Sequence, residues 1–189
     1  VSLGRYAYAD TFSSGAELKA AGYAGVFGSV GVSRPGRAAN AVVIDDWLAS
    51  GLSFIGVYRN EPANFGEGWY DGAAHADAVI DDLNAMLLSS YTPICAVIEQ
   101  HLTSQHQPLA LEYQQGFFEQ TQARAWRGPV GAYGFGSFLS AVRAAGCAEW
   151  FWLVGTQLRI EPWIDFCQDG AGAVRQYRQL RTSSQPHDW

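Results

Sequence analysis

The feature that most constrains this chain is a recurring unit of short apolar run, polar turn, amphipathic run and glycine, followed by the next apolar run. Strands that alternate with helices in this way build a parallel sheet whose faces are covered by the helices. Arg5 to Ala9 is the first predicted strand. Ser14, three residues before Glu17, has capping-box spacing, and Gly22 stands where the following helix, about Ala16 to Ala21, would stop. Tyr23 to Val30 is a second strand and Ala39 to Ser50 a helix, with Val42, Val43, Asp46, Trp47 and Ser50 sharing one side. Leu52 to Tyr58 is the third strand. The aperiodic stretch Arg59 to Gly72 is expected to be an ordered loop at its carboxyl end. Ala73 to Leu88 has the clearest helical spacing, through Ala76, Val79, Ile80, Leu83, Met86 and Leu87. The alternation continues through a strand at Ile94 to Glu99, a helix at about Leu109 to Trp126, a strand at Val130 to Phe135, a helix at Ser137 to Ala145 and a strand at Trp150 to Val154.

This order predicts an α/β fold, a (β/α) TIM-like barrel. At 189 residues it would be small, irregular or incomplete. The competing architecture, an open doubly wound sheet, usually places a glycine-rich phosphate turn after its first strand, and the residues after Ala9 supply none. One domain over residues 1–182 and a tail over 183–189 is the economical division. Beyond Gly155 the pattern weakens: Arg175, Arg178 and Arg181 are spaced by three, which fits a docking helix, a solvated surface helix or a last barrel strand.

Composition narrows the function classes. A net charge of −6 argues against a nucleic-acid grip built on phosphate neutralisation. The apolar runs stop far short of the ~20 residues that cross a bilayer, so no membrane span is expected. Val1 to Asp10 has neither the basic nor the apolar region of a signal peptide. Cys95, Cys147 and Cys167 are odd in number and widely spaced, which suits free thiols better than a disulfide framework or a zinc site. His75, His101, His106 and His187 form no tight ligand pair, so neither metal nor cofactor is implied.

In a barrel, the side chains at the carboxyl ends of the strands converge on one mouth. Glu99 follows the run Ile94 to Ile98, and at a two-residue spacing Glu99 and His101 share a face. Glycoside hydrolysis usually needs two carboxylates, one to protonate the leaving oxygen and one to act as nucleophile or base. Asp10 and Glu61 are the candidate partners of Glu99, although Asp10 also fits turn chemistry before the Ser14 cap. Tyr58, Arg59 and Asn60 form a hydrogen-bonding cluster suited to sugar hydroxyls. Trp69, Tyr70, Trp152 and Trp163 are candidate stacking platforms for sugar rings. For each of these aromatic residues, loop packing is the competing use.

The stretches ELKAAGYAGVFGSV, WLASGLSFIGVY, TPICAVIEQH, GPVGAYGFGSFLSAVRAAG and AEWFWLVG cover most of Arg5 to Gly155. In order and pattern this part of the chain resembles the glycoside hydrolase-like TIM-barrel domain of secreted actinobacterial and phage proteins, which is related to family 25 lysozymes. That family usually carries an Asp in its first strand, which falls here at Ala7. Its Asp-x-Asp falls at Glu99 and His101, and the acidic position after its third strand falls at Arg59. Only Glu99 keeps a carboxylate, with Asp10 a substitute if the register slips by three.

The resemblance therefore implies a barrel with a degenerate site that binds cell-wall polysaccharide or peptidoglycan, outside the cell or on a virion surface, as part of a phage tail or other surface-acting protein. Two alternatives stay open. One is an active hydrolase using Glu99 with Asp10 or Glu61, and the other is a structural module of a larger assembly.

Overall fold

The computed structural model describes residues 4–9, 13–31, 39–60, 66–98, 106–155, 161–168 and 174–178. Eight strands among them close into a barrel in sequence order: β1 (Gly4–Ala9), β2 (Tyr23–Ser29), β3 (Ser53–Asn60), β4 (Ile94–Ile98), β5 (Val130–Gly134), β6 (Trp150–Val154), β7 (Phe166–Gln168) and β8 (Val174–Gln176). The first seven run parallel, whereas β8 is antiparallel to both β7 and β1. Helices α1 (Gly15–Ala20), α2 (Ala41–Ala49), α3 (Trp69–Ala85), α4 (Gln107–Ala123) and α5 (Gly136–Ala145) follow β1 to β5 in turn. This is the expected TIM-like barrel, with five helices rather than eight among the described residues. The arginine-rich C-terminal segment contributes its described part as the last barrel strand, not as a docking helix.

Local signals account for the helix ends. At α1 the Ser14 side chain accepts from Glu17 N while the Glu17 carboxylate accepts from Ser14 N. All five helices are closed by a residue with left-handed φ. Gly22 and Gly51 take this conformation without penalty after α1 and α2, but Leu87 (φ 57°) takes it after α3 and Ala125 (φ 53°) after α4. Leu87, expected on the buried stripe, is 92% exposed because the helix has already ended at Met86. Leu87→Gly is therefore expected to raise stability by about 1 kcal/mol, the left-handed penalty relieved, read as a higher denaturation midpoint with an unchanged urea slope. On α2 the buried residues are Ile44 and Trp47, and Val42 projects to solvent at 78% exposure. The side predicted from Val42 is thus rotated toward Ile44.

Two cores result. The larger lies between strands and helices and includes Val26, Phe54, Tyr58, Ile80, Phe117 and Leu139. The smaller fills the barrel and is built largely from aromatic rings: Tyr6, Phe27, Trp150, Trp152 and Phe166, with Tyr8 and Tyr133 packed against them. Barrel interiors are ordinarily dominated by branched aliphatic residues, and glycine makes room for rings here. A Cβ at Gly131 would collide with the Trp150 indole, and one at Gly25 with the Tyr6 ring. Burial also pushes the Cys95 thiol inside the barrel well above its usual range.

Candidate functional site

Pairing register decides which strand residues face the interior. Tyr8 pairs with Phe27, Ser29 with Val57, Arg59 with Val97, Val97 with Tyr133, Tyr133 with Trp152, and Gln168 with Val174. Each pair shares a face. Since Phe27, Val57, Val97, Trp152 and Val174 belong to the interior core, Tyr8, Arg59, Tyr133 and Gln168 point inward as well. All four are half-buried, and they stand at the last or penultimate positions of β1, β3, β5 and β7. They line the mouth at the carboxyl ends of the parallel strands.

Beneath them lies Trp152, fully buried. Its ring stacks on Phe27 at 4.2 Å and meets the edges of Tyr133 at 4.7 Å and Tyr8 at 5.5 Å. The Arg59 guanidinium lies over the Tyr8 ring, 5.5 Å from its centroid. This cation–π contact sets the side chain across the opening rather than along the wall. Among the described inward-facing side chains Arg59 carries the one formal charge. Two buried polar atoms here have no hydrogen-bond partner among the described residues: the Trp152 Nε1 donor and the Gln168 Oε1 acceptor. Such groups are costly to bury unpaired.

The sequence candidates divide sharply. Asp10, Glu61, Glu99 and His101 lie outside the described residues. Asn60 closes β3 as its last residue. Arg59, expected in a loop, belongs to β3 and faces the mouth. Its neighbour Tyr58 must then face the other way, because adjacent strand residues alternate. Tyr58 is indeed buried against α3, stacked on the His75 ring at 4.3 Å, and His75 Nδ1 sits 3.0 Å from the Tyr113 hydroxyl on α4. Burial, reinforced by Asp71, raises the Tyr58 pKa; burial lowers that of His75 against the opposing pull of Asp71. A neutral His75 and a neutral Tyr58 make this a packing wedge between sheet and helices.

Three of the proposed stacking platforms lie outside the strands whose inward residues line the mouth. Trp69 and Tyr70 form the first turn of α3, which begins four residues before the predicted helix. The Trp69 indole N–H donates to Glu119 on α4 at 2.8 Å, and Tyr70 is 71% exposed with its ring edge-on to Trp69. Trp163 precedes β7 on the helix side, edge-on to Phe151 at 5.2 Å and under the Arg143 guanidinium at 5.3 Å. The fourth, Trp152, has its ring faces covered and serves as the floor of the mouth rather than an open platform.

The position matched to the family's first-strand acid also shifts. Ala7 packs toward the helices, so the inward residue at that level is Tyr8. Tyr8, Tyr133 and Gln168 were not candidates from sequence. Alternation from Tyr6 could have exposed Tyr8 and alternation from Gly131 Tyr133, but the three-residue β7 leaves no period from which to read Gln168.

Among the described residues no cluster of three or more His, Cys, Asp or Glu could hold a metal ion, and no helix is long and apolar enough to cross a membrane. No protein-family model matches the chain, and no curated protein matches it. Solved structures do. The Tat-secreted protein Rv2525c of Mycobacterium tuberculosis, solved in complex with HEPES, superposes with a TM-score of 0.74 at 19% identity, covering 97% of this chain and 98% of that one. The virulence factor GHIP, a glycosyl hydrolase 25 of Streptococcus pneumoniae, gives a TM-score of 0.57 at 11% identity over 92% of this chain and 85% of that one.

The chain shares the TIM-barrel fold of these two proteins. The modular autolysin LytC of Streptococcus pneumoniae, solved with a synthetic peptidoglycan ligand, shares this fold with a TM-score of 0.60 at 12% identity. The match covers 91% of this chain and 45% of LytC.

Proposed function

We propose that this barrel is a cell-wall glycan-binding domain with a degenerate hydrolase site, acting outside the cell in a secreted protein or at a virion surface such as a phage tail. The observation that carries the reading is Arg59. It occupies an inward position at the end of β3, where the resemblance to family 25 lysozymes leads to an acid, and it lies over an aromatic ring. Tyr8 occupies the corresponding place on β1. A cation and a phenol cannot replace a carboxylate pair in protonating a leaving oxygen and stabilising the opposite face of the sugar. Together with Tyr133 they supply aromatic and hydrogen-bonding surface of the kind that sugars use.

The relatives support the ligand class: LytC was solved with a peptidoglycan ligand, and Rv2525c is a Tat-secreted protein. A working hydrolase is the second reading, favoured by Glu99 directly after Ile98 at the end of β4. The two separate in one assay. The purified chain is incubated with insoluble actinobacterial cell walls, and reducing ends released and protein retained in the pellet are measured in the same sample. Retention without release, unchanged by Glu99→Gln, is the expected result. Release that disappears in Glu99→Gln establishes the hydrolase, and neither retention nor release establishes a structural module.

A further inference from the structure

We infer that this chain associates with itself head to tail, the outer ridge of α2 in one copy seating on the open sheet face over β7, β8 and β1 of the next. The inference is independent of glycan binding at the mouth. Two exposed surfaces lead to it, and the first lies where the helical layer stops. A helix follows each of β1 to β5, whereas none follows β6, β7 or β8 among the described residues. Across that opening Arg175 pairs with Arg5 on one side and Cys167 on the other, and Arg5 pairs in turn with Tyr23. Val174 and Gln176 are buried, so Arg175 between them points outward, as does Arg5 beside the inward Tyr6. Both arginines are exposed, and neither makes an ion pair among the described residues. Like charges directly opposite each other in a sheet repel, and a carboxylate from outside the chain relieves that repulsion. The Arg5 guanidinium lies over the Tyr23 ring, 4.7 Å from its centroid, a contact that uses its flat face and leaves the N–H donors at its edge.

The second surface is the outer ridge of α2. Val42, Asp45 and Leu48 recur at three-residue spacing, which sets them side by side along the helix. Val42 and Leu48 are the large apolar side chains that α2 leaves in solvent. The Asp45 carboxylate between them is exposed and makes no hydrogen bond or ion pair among the described residues. Its neighbour Asp46 is engaged, accepting from Gly15 N at 2.6 Å. An acid flanked by apolar groups complements two arginines flanked by the half-buried Tyr23 and Cys167. Ile44 and Trp47 anchor α2 to its own barrel from the opposite side, so the ridge meets such a face only in another copy. Docked there, it takes the place of the outer helix that β8 lacks.

Such an interface is heterologous and propagates into open chains or rings. One nine-residue helix on three strands is a small contact, and copies that each carry −6 repel overall, so the association is reversible and needs high protein concentration. The test is sedimentation equilibrium of the whole chain from low micromolar to near-millimolar concentration. The wild type is expected to gain mass with concentration, past two copies. Asp45→Lys sets a third cation against the two arginines and is expected to weaken the association at least about tenfold. Arg175→Ser removes one of the two cations and is expected to weaken it several-fold. Mixed at a concentration where each variant alone is monomeric, the two are expected to form one-to-one pairs and nothing larger. The intact ridge of the Arg175→Ser chain fits the intact face of the Asp45→Lys chain, and no other ridge and face in the mixture match.

A wild type that stays monomeric throughout overturns the inference. So does association that survives Asp45→Lys or stops at two copies, and so does a mixture of the two variants that stays monomeric, because each places any contact elsewhere. Both substituted side chains are exposed, and unchanged thermal midpoints show that the barrel is intact. Should Arg175→Ser fail to fold, Asp45→Lys mixed into wild type at fixed total concentration still decides. That variant keeps the sheet face and lacks the ridge, so it is expected to cap the chains and lower the mean mass; an unchanged mean mass overturns the inference.

Discussion

Gly116→Ala and Gly72→Ala are each expected to destabilise the barrel by about 2–3 kcal/mol, although alanine is the better helix former at both positions. The reason is the crossing of α3 and α4. A Cβ at Gly72 would collide with the carbonyl oxygen of Tyr113 and approach Phe117 N at 2.8 Å, and one at Gly116 would collide with the carbonyl oxygen of Trp69. Both obstacles are main chain, so no rotamer change relieves them and the helices must move apart. They are not free to do so. The Trp69 indole is tied to Glu119, Gln120 Nε2 donates to Asp77 at 2.9 Å, and Arg124 bridges Asp77 and Asp81 at 2.6 and 2.5 Å. Those partly exposed ion pairs contribute modestly by themselves, but their register holds only when the backbones touch. In a domain of this size the loss corresponds to roughly 5–10 °C in thermal midpoint. Unchanged or raised midpoints in both variants would mean that the helices do not meet there.

The same crossing shows where sequence reasoning reaches its limit. Strands and helices were readable wherever apolar periodicity ran for several residues, as in Ile94 to Ile98 or along Ala76, Val79, Ile80 and Leu83, because burial on one side imposes that period. The start of α3 was not. Gly66, Gly68 and the aromatic pair Trp69 and Tyr70 carry loop chemistry, and tertiary contact with Gly116, not local propensity, makes Trp69 helical. The site was legible as a place but not as a face. Tyr58 and Arg59 are adjacent in a strand, so at most one can enter the mouth, and the choice depends on a pairing register that the neighbouring strands settle. The glycines at 25 and 131 are informative only once Tyr6 and Trp150 are known to lie over them.

Asp165 should make stability depend on pH in the direction opposite to a typical salt-bridged carboxylate. It is 3% exposed and joins three parts of the closing sheet. Its carboxylate accepts from Phe151 N at 2.9 Å, its backbone N–H donates to Phe151 O at 3.0 Å, its carbonyl accepts from Tyr177 N at 2.7 Å, and Arg178 Nε lies 3.6 Å from Oδ1. Burial pushes its pKa up to about 6, outweighing the Phe151 hydrogen bond and the half-exposed Arg178, both of which pull it down. Between about pH 4 and 6 the folded chain then holds a proton that the unfolded chain has released. The folded state binds more protons, so unfolding free energy falls as pH rises through this window and levels off above it. The expected fall is about 2 kcal/mol, somewhat less than the full shift because Arg178 is screened by solvent.

Asp165→Asn preserves an acceptor for Phe151 N and cannot ionise. The difference in stability between wild type and Asp165→Asn isolates this group from the other carboxylates that titrate nearby. That difference should be small at pH 4 and should favour the variant by about 2 kcal/mol at pH 7.5. Asp165→Ala behaves differently at pH 4, where it strands the buried Phe151 N–H and costs about 1–3 kcal/mol. Urea denaturation of the three chains at pH 4, 5, 6 and 7.5 reads all of this. A wild-type-to-Asn difference that stays flat from pH 4 to 7.5 would mean that the Phe151 hydrogen bond and Arg178 fully offset the cost of burying the Asp165 carboxylate.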